Sequence, residues 1–183
     1  MHMAVWGVDR AKFRTCDSTG FCKRFRSNTA KAPLGASYFV TPSSLQIQPD
    51  KGLLSAHIEG PAASPELMLQ VAYYTSGSVR VRITEGSEPR WEPSDVILAS
   101  GTEPGSFEIL SEADDERIPT VLRSSSPTDC IKLGMQGNSV LAIHSNPIKF
   151  ELYTNDVLQI AANDRDLMHF EWKQNAQGNA VNG

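Results

Sequence analysis

The sequence predicts an all-β fold, a β-sandwich, and three observations carry that prediction. First, short apolar runs alternate with polar residues at period two, most cleanly in Val79-Arg80-Val81-Arg82-Ile83-Thr84. A helix would scatter these two arginines around its axis, whereas a strand puts both on one face and the aliphatics on the other. Second, most of the 13 glycines and 11 prolines fall between such runs, and no long segment holds a 3.6-residue apolar period. Third, the strands are short, closely spaced and without a repeat of constant length, which fits a sandwich better than a propeller or a solenoid.

The elements follow in order. Leu45 and Ile47 alternate with glutamines before the turn Pro49-Asp50-Lys51-Gly52. Leu53, Leu54, Ala56 and Ile58 form the next run, which Gly60-Pro61 breaks. Leu67, Leu69, Val71 and Tyr73 share one face of a strand, and Ser76-Gly77-Ser78 closes a hairpin onto 79–84. Further strands are expected at 95–99, 106–110, 118–123, 129–135, 139–144, 147–153, 156–162 and 167–172. Met135-Gln136-Gly137-Asn138-Ser139 and Thr154-Asn155-Asp156 supply two hairpin turns. A short helix is expected within 9–15 or within 112–117. The tail from Lys173 to Gly183 is polar and low in complexity, a flexible linker. The resulting organisation is an N-terminal arm over 1–32, a sandwich over 33–172 and a linker over 173–183.

A chain of 183 residues with 40% hydrophobic and 21% charged residues suits one domain or a large piece of one, and argues against disorder. No run approaches the ~18 apolar residues of a membrane span, so no membrane is expected as a partner. The start lacks the apolar stretch of a signal peptide, and Met1-His2-Met3 reads as a cloning remnant. The chain is therefore expected to be cytosolic or to have lost a targeting segment. Its net charge of −4 divides unevenly: residues 1–32 hold seven basic and two acidic side chains (+5), leaving −9 on the rest. A basic arm before an acidic body fits nucleic acid, its own acidic surface or another subunit. No nucleic-acid motif follows the arm, and none is expected to bind.

Cysteine is the sharpest local signal. Cys16 and Cys22 enclose Asp17-Ser18-Thr19-Gly20-Phe21, and Cys130 stands apart. One Cys-x5-Cys pair with scattered histidines (His2, His57, His144, His169) makes a poor zinc site, and no metal or other cofactor is expected. The spacing leaves two readings, a small disulfide loop or two reduced thiols. The loop is the better one, and chain-entropy arithmetic for a seven-residue ring gives about 2.4 kcal/mol before strain. Cys130, in Thr128-Asp129-Cys130-Ile131-Lys132-Leu133, reads as a small buried hydrophobe on a strand.

No active site is visible from the residues alone. A Gly-x-Ser-x-Gly elbow is absent, as are the glycine-rich nucleotide loops. The acidic clusters Asp114-Asp115-Glu116 and Asp164-x-Asp166 lie on polar loops. A glycosidase instead needs two carboxylates about 5–10 Å apart across a sugar, on a rigid scaffold. Trp6, Trp91 and Trp172 could stack on sugars, but packing roles are commoner for tryptophan in a β-protein.

One resemblance reaches further. Val8-Asp9-Arg10-Ala11-Lys12-Phe13-Arg14-Thr15-Cys16, followed by Phe21-Cys22-Lys23-Arg24 and Arg26, closely resembles the mature start of the glucosidase II branch of glycoside hydrolase family 31. Val81-Arg82-Ile83-Thr84-Glu85, with Pro89-Arg90 and Pro93-Ser94-Asp95-Val96, resembles the branch's arginine-rich strand and the segment after it. Pro147 to Tyr153, Asn163 and Leu167-Met168-His169-Phe170-Glu171 resemble a later strand pair.

The resemblance implies the N-terminal β-sandwich domain of a family 31 enzyme, incomplete in this fragment. In that family a barrel aspartate in a Trp-x-Asp-Met-Asn-Glu-type motif is the nucleophile of a retaining hydrolysis. Neither it nor the acid/base aspartate is present, so catalytic residues are expected C-terminal to Gly183 and none in this chain. The implied enzyme removes α-1,3-linked glucose from N-glycans in the endoplasmic reticulum lumen. Its implied partners are the barrel of its own α-subunit, a regulatory β-subunit and the N-glycan substrate, and the segment would buttress the barrel and border the site entrance. That oxidising compartment adds weight to a Cys16–Cys22 disulfide. The alternative expectation is a stand-alone carbohydrate-binding sandwich.

Overall fold

A computed structural model of the chain describes residues 15, 37–61, 64–86, 103–111 and 115–170. Ten strands form two antiparallel five-stranded sheets. The first sheet contains β1 (Phe39–Val40), β2 (Gln46–Gln48), β3 (Leu53–Glu59), β4 (Leu67–Tyr73) and β5 (Val79–Glu85). β1 and β2 pair with the same edge of β3, opposite Ile58–Glu59 and Leu53–Ser55 respectively. A 3₁₀ turn at Pro42–Ser44 interrupts that edge, where proline cannot donate to the ladder. β3, β4 and β5 then meander antiparallel.

The second sheet runs β10-β9-β8-β7-β6. Its members are β6 (Glu108–Ile109), β7 (Cys130–Met135), β8 (Ser139–Ser145), β9 (Ile148–Thr154) and β10 (Val157–Ala162). The hairpins form at the expected turns. Gly137 and Asn138 take positive φ between β7 and β8, and Asn155 and Asp156 do so between β9 and β10. Positive φ at both central residues is what a two-residue type I′ turn requires. Between the 3₁₀ turn Pro49–Lys51 and β3, Gly52 has φ +60, and a Cβ there would lie 2.6 Å from the Gly105 carbonyl oxygen. No side chain fits that approach.

The main core lies between the sheets. Alternation along β3 and β4 drives Leu54, Ala56, Ile58, Leu67, Leu69, Val71 and Tyr73 into it, against Leu133, Leu141, Ile143, Ile148 and Phe150 of the second sheet. Tyr73 crosses the layers, its hydroxyl accepting from the Gln136 backbone N–H at 3.3 Å. β8 is buried on both faces, because Val140-Leu141-Ala142-Ile143 is apolar without alternation. Val140 and Ala142 face a second cluster on the outside of the sheet, with Leu110, Ile118, Leu122, Cys130 and Tyr153. Leu110 and the segment 115–122 therefore form a partial third layer. β10 lies at the open edge of its sheet, with Val157, Leu158 and Ile160 58%, 47% and 60% exposed.

Three expectations are corrected. Residues 118–123 are not a strand, since Thr120–Leu122 is a 3₁₀ turn capped by Pro119. Its alternation is real burial, of Ile118 and Leu122, without strand pairing. Residues 167–170, the described part of the expected last strand, do not form a strand, yet Met168 and Phe170 pack against the main core. Residues 115–117 form a turn rather than a helix, Arg117 bonding back to Asp115. The expected strand at 95–99 and the expected helix at 9–14 lie outside the described residues. Among the described residues, no helix is long and apolar enough to cross a membrane.

Candidate functional site

Two outward-facing arrangements gather polar side chains, one on each sheet. On the second sheet, β7, β8 and β9 bring Cys130, His144, Lys149, Glu151 and Tyr153 to the outer face, at the edge of the second cluster. The Glu151 carboxylate is their centre. It accepts from Lys149 Nζ at 2.9 Å, from His144 Nε2 at 2.8 Å and from the Tyr153 hydroxyl at 3.2 Å. Burial pushes the Glu151 carboxyl up, but the Lys149 and His144 hydrogen bonds outweigh it and hold the group below its ordinary value. Burial, with the Glu151 charge beside it, pushes Tyr153 up to about 12.

Cys130 Sγ lies 4.0 Å from the same His144 Nε2 that meets Glu151. An ionised carboxylate only accepts, so that nitrogen carries the proton and cannot serve as base to the thiol. A Cys-His-acid relay needs the two ring nitrogens on different partners. Burial raises the Cys130 thiol pKa as well, so Cys130 is the inert buried cysteine the sequence predicts. Next to it Lys132, 3% exposed, donates from Nζ to the Ser125 carbonyl at 2.9 Å and ties β7 to the covering segment. This arrangement is structural.

On the first sheet the register aligns two rows across four strands. Gln46, Ser55, Gln70 and Arg82 stand opposite one another in sequence along one row, and Gln48, Leu53, Ala72 and Arg80 along the next. Together with Tyr74 they line an open concavity of about 290 Å³. Arg82 donates to Gln70 Oε1 at 2.9 Å. Leu53, 41% exposed, supplies an apolar floor. No carboxylate is among the described lining residues. Sequence reasoning saw the alternating glutamines and the paired arginines separately. Only the register of β2, β3 and β4 brings them together.

The sequence-predicted site residues fall differently. Cys16 and Cys22, with Trp6, Trp91 and Trp172, lie outside the described residues, as does Asp114. Asp115 is held by Arg117, whose side-chain and backbone hydrogen bonds lower its pKa. Asp166 accepts from the Ser37 hydroxyl, and Asp164 is exposed. His57 pairs with Glu66 at the surface. Among the described residues, no group of three or more His, Cys, Asp or Glu side chains is placed to hold a metal ion.

Comparison with known proteins places the chain. Residues 68–182 match the model of the glycosyl hydrolase 31 N-terminal galactose mutarotase-like domain. Neutral alpha-glucosidase AB of Sus scrofa is 28% identical over 166 residues, 90% of this chain. The Homo sapiens protein of that name is 28% identical over 167 residues. The chain spans only 16% of the length of either relative. Among solved structures, a glucosidase II alpha subunit in an alpha3-Glc2-bound form superposes with a TM-score of 0.64 at 17% identity, over 89% of this chain and 19% of that one. A chain of an ER glucosidase II heterodimeric complex, which consists of the catalytic subunit and the binding domain of the regulatory subunit, gives 0.61 at 16% identity, with the same coverage. These structural likenesses support the all-β sandwich, and the family match spans most of the chain: it belongs to the glycosyl hydrolase 31 N-terminal galactose mutarotase-like domain family.

Proposed function

We propose that this chain is the non-catalytic N-terminal sandwich of a retaining α-glucosidase of the glucosidase II type. In this reading the whole enzyme trims α-1,3-linked glucose from N-glycans in the endoplasmic reticulum lumen. The sandwich buttresses the catalytic barrel, borders the entrance to its site, and belongs to an α-subunit that pairs with a regulatory β-subunit. The observation that carries the reading is the family match over 68–182, together with relatives aligned along 90% of the chain.

The geometry supports a scaffold rather than a catalyst. The acids that sequence reasoning weighed for catalysis and the structure describes are engaged or solvated: Asp115 by Arg117, Asp166 by Ser37, Glu116 and Asp164 in solvent. The uncovered apolar side chains of β10 also fit a sheet edge that a larger enzyme covers, since natural proteins seldom leave such an edge bare. Within the same reading Cys16 and Cys22 are disulfide-bonded.

The test has two parts. The reading frame downstream of Gly183 should encode a Trp-x-Asp-Met-Asn-Glu-type motif, and the purified 183-residue chain should not turn over a chromogenic α-glucoside. Turnover that survives further purification, or a downstream frame without the motif, would overturn the reading. The disulfide is read by alkylating unreduced, denatured protein, where one labelled cysteine is expected and three would refute it.

A further inference from the structure

We propose that the concave outer face of the first sheet binds a neutral oligosaccharide, in the cleft floored by Leu53 and Ala72 and walled by Gln46, Gln70, Arg82 and Tyr74. The argument is independent of the buttress role. It begins with what an exposed sheet face normally carries, which is charged residues of mixed sign with few open cavities. This face instead concentrates amides, a hydroxyl and guanidinium groups around an apolar strip, with no carboxylate among its described lining residues.

The spacing suits a chain of sugar rings. Neighbouring strands lie about 4.8 Å apart, so the row Gln46, Ser55, Gln70, Arg82 presents a polar group at roughly the length of one hexose. Along β4 and the residue that follows it, Gln70, Ala72 and Tyr74 span about 13 Å, at roughly 6.6 Å per pair of residues. An amide and an aromatic ring thus flank a methyl group, and the small residue between them opens the cleft. A sugar offers hydroxyls at its rim and C–H faces above and below, which this combination of donors, acceptors and apolar floor would match.

The chemistry favours a neutral ligand over an anion. Arg82 donates to Gln70 Oε1, and Arg80 and Arg82 each make a further interaction, so neither guanidinium stands as a free receptor for an anion. Gln46 and Ser55 of the first row and Gln48 of the second make no side-chain hydrogen bond to another described residue, so the face keeps both donors and acceptors for a ligand. An anion site would draw on donors alone. The volume of about 290 Å³ sits at the lower end for ligand sites, enough for one or two rings.

Isothermal titration of the monodisperse 183-residue chain tests the assignment, with maltotetraose as the sugar probe and sodium phosphate as the anion probe. Saturable maltotetraose binding is expected. Gln70→Ala should weaken it at least tenfold by removing the central amide, and Ala72→Trp should do the same by filling the cleft. Both positions are on the surface, so the thermal midpoints of the variants should match the parent. Binding that survives both substitutions would place the site elsewhere and overturn the proposal. Absence of saturable sugar binding would overturn it too, as would binding of phosphate in place of maltotetraose.

Discussion

The two outer faces of the sandwich are made from the same material, antiparallel strands of alternating residues, and end in opposite states. The outer face of the second sheet is apolar at Cys130, Val140 and Ala142, and the segment holding Leu110, Ile118 and Leu122 covers it. The outer face of the first sheet carries glutamine, serine and arginine at the equivalent positions and keeps an open cleft. The difference lies in which residues occupy the outward half of the period. Aliphatics there recruit a third layer, whereas amides and guanidiniums leave the face to solvent or a ligand. The covered face should therefore matter for stability and the open one hardly at all.

The largest effect is expected from the covering layer itself. Ile118 is 1% exposed and packs into the second cluster from outside the sheets. Ile118→Ala should cost about 2–4 kcal/mol in denaturant unfolding, as buried Ile truncations do. A loss below about 1 kcal/mol would mean that the segment rests loosely on the sheet, and the contrast between the faces would fail.

Next comes the ionic centre at the edge of that layer. Replacing Glu151 by Gln leaves Lys149, His144 and Tyr153 without their shared acceptor charge. A loss of about 1–3 kcal/mol at neutral pH is expected. Its pH dependence follows from the depressed carboxyl. A group whose folded pKa is below its unfolded one stabilises above the unfolded value, here near 4.5, and loses that contribution as pH falls through the folded value. Thermal midpoints of the parent should drop below about pH 4.5 more steeply than those of Glu151→Gln. Tyr153 acts on the alkaline side. Its raised value means that folding is favoured below the ordinary 10 and weakened as pH climbs toward about 12, a loss that Tyr153→Phe should flatten.

A smaller effect should come from the clasp that positions the third layer. The Asp156 carboxylate accepts from the Thr120 backbone N–H at 2.9 Å and from its hydroxyl at 3.0 Å, fastening the 3₁₀ turn to the β9–β10 hairpin. Both contacts are at the surface, and they hold the Asp156 pKa down. Asp156→Asn keeps the turn's positive φ, which asparagine tolerates, while removing the charge. Hydrogen exchange should then speed up around 118–122 with little change in global stability. Unchanged exchange there would show that apolar packing alone holds the layer.

These elements also show how far the sequence could be read. The main strands were legible because Leu67, Leu69, Val71 and Tyr73, or Val79 to Thr84, alternate long enough to fix both pairing and facing. Ile118, Thr120 and Leu122 alternate as well, but Pro119 and a partner 36 residues away, Asp156, turn that segment into a clasped 3₁₀ turn. Met168 and Phe170 carry the same ambiguity, since period-two burial reports one buried face and not a hydrogen-bonded neighbour. Cys130 was readable as a buried thiol from its own strand. The cleft was not, because Gln46, Ser55, Gln70 and Arg82 become neighbours only through three registers that local sequence does not encode.

The smallest effect is the one that tests the comparison from its other side. On the open face Gln70 is exposed, and its described side-chain contact is the hydrogen bond from Arg82. Exposed pairs of this kind contribute little, because water replaces the bond and ordering two long side chains opposes it. Gln70→Ala should therefore change unfolding free energy by no more than about 0.5 kcal/mol. Removing Arg82 as well should add no measurable coupling in a double-mutant cycle. A single loss above about 1 kcal/mol, or a clear coupling, would make the row part of the scaffold, and the two outer faces would no longer differ in kind. A null result leaves the row of two amides, a hydroxyl and a guanidinium unexplained by folding, since stability alone does not call for four polar side chains in line across four strands.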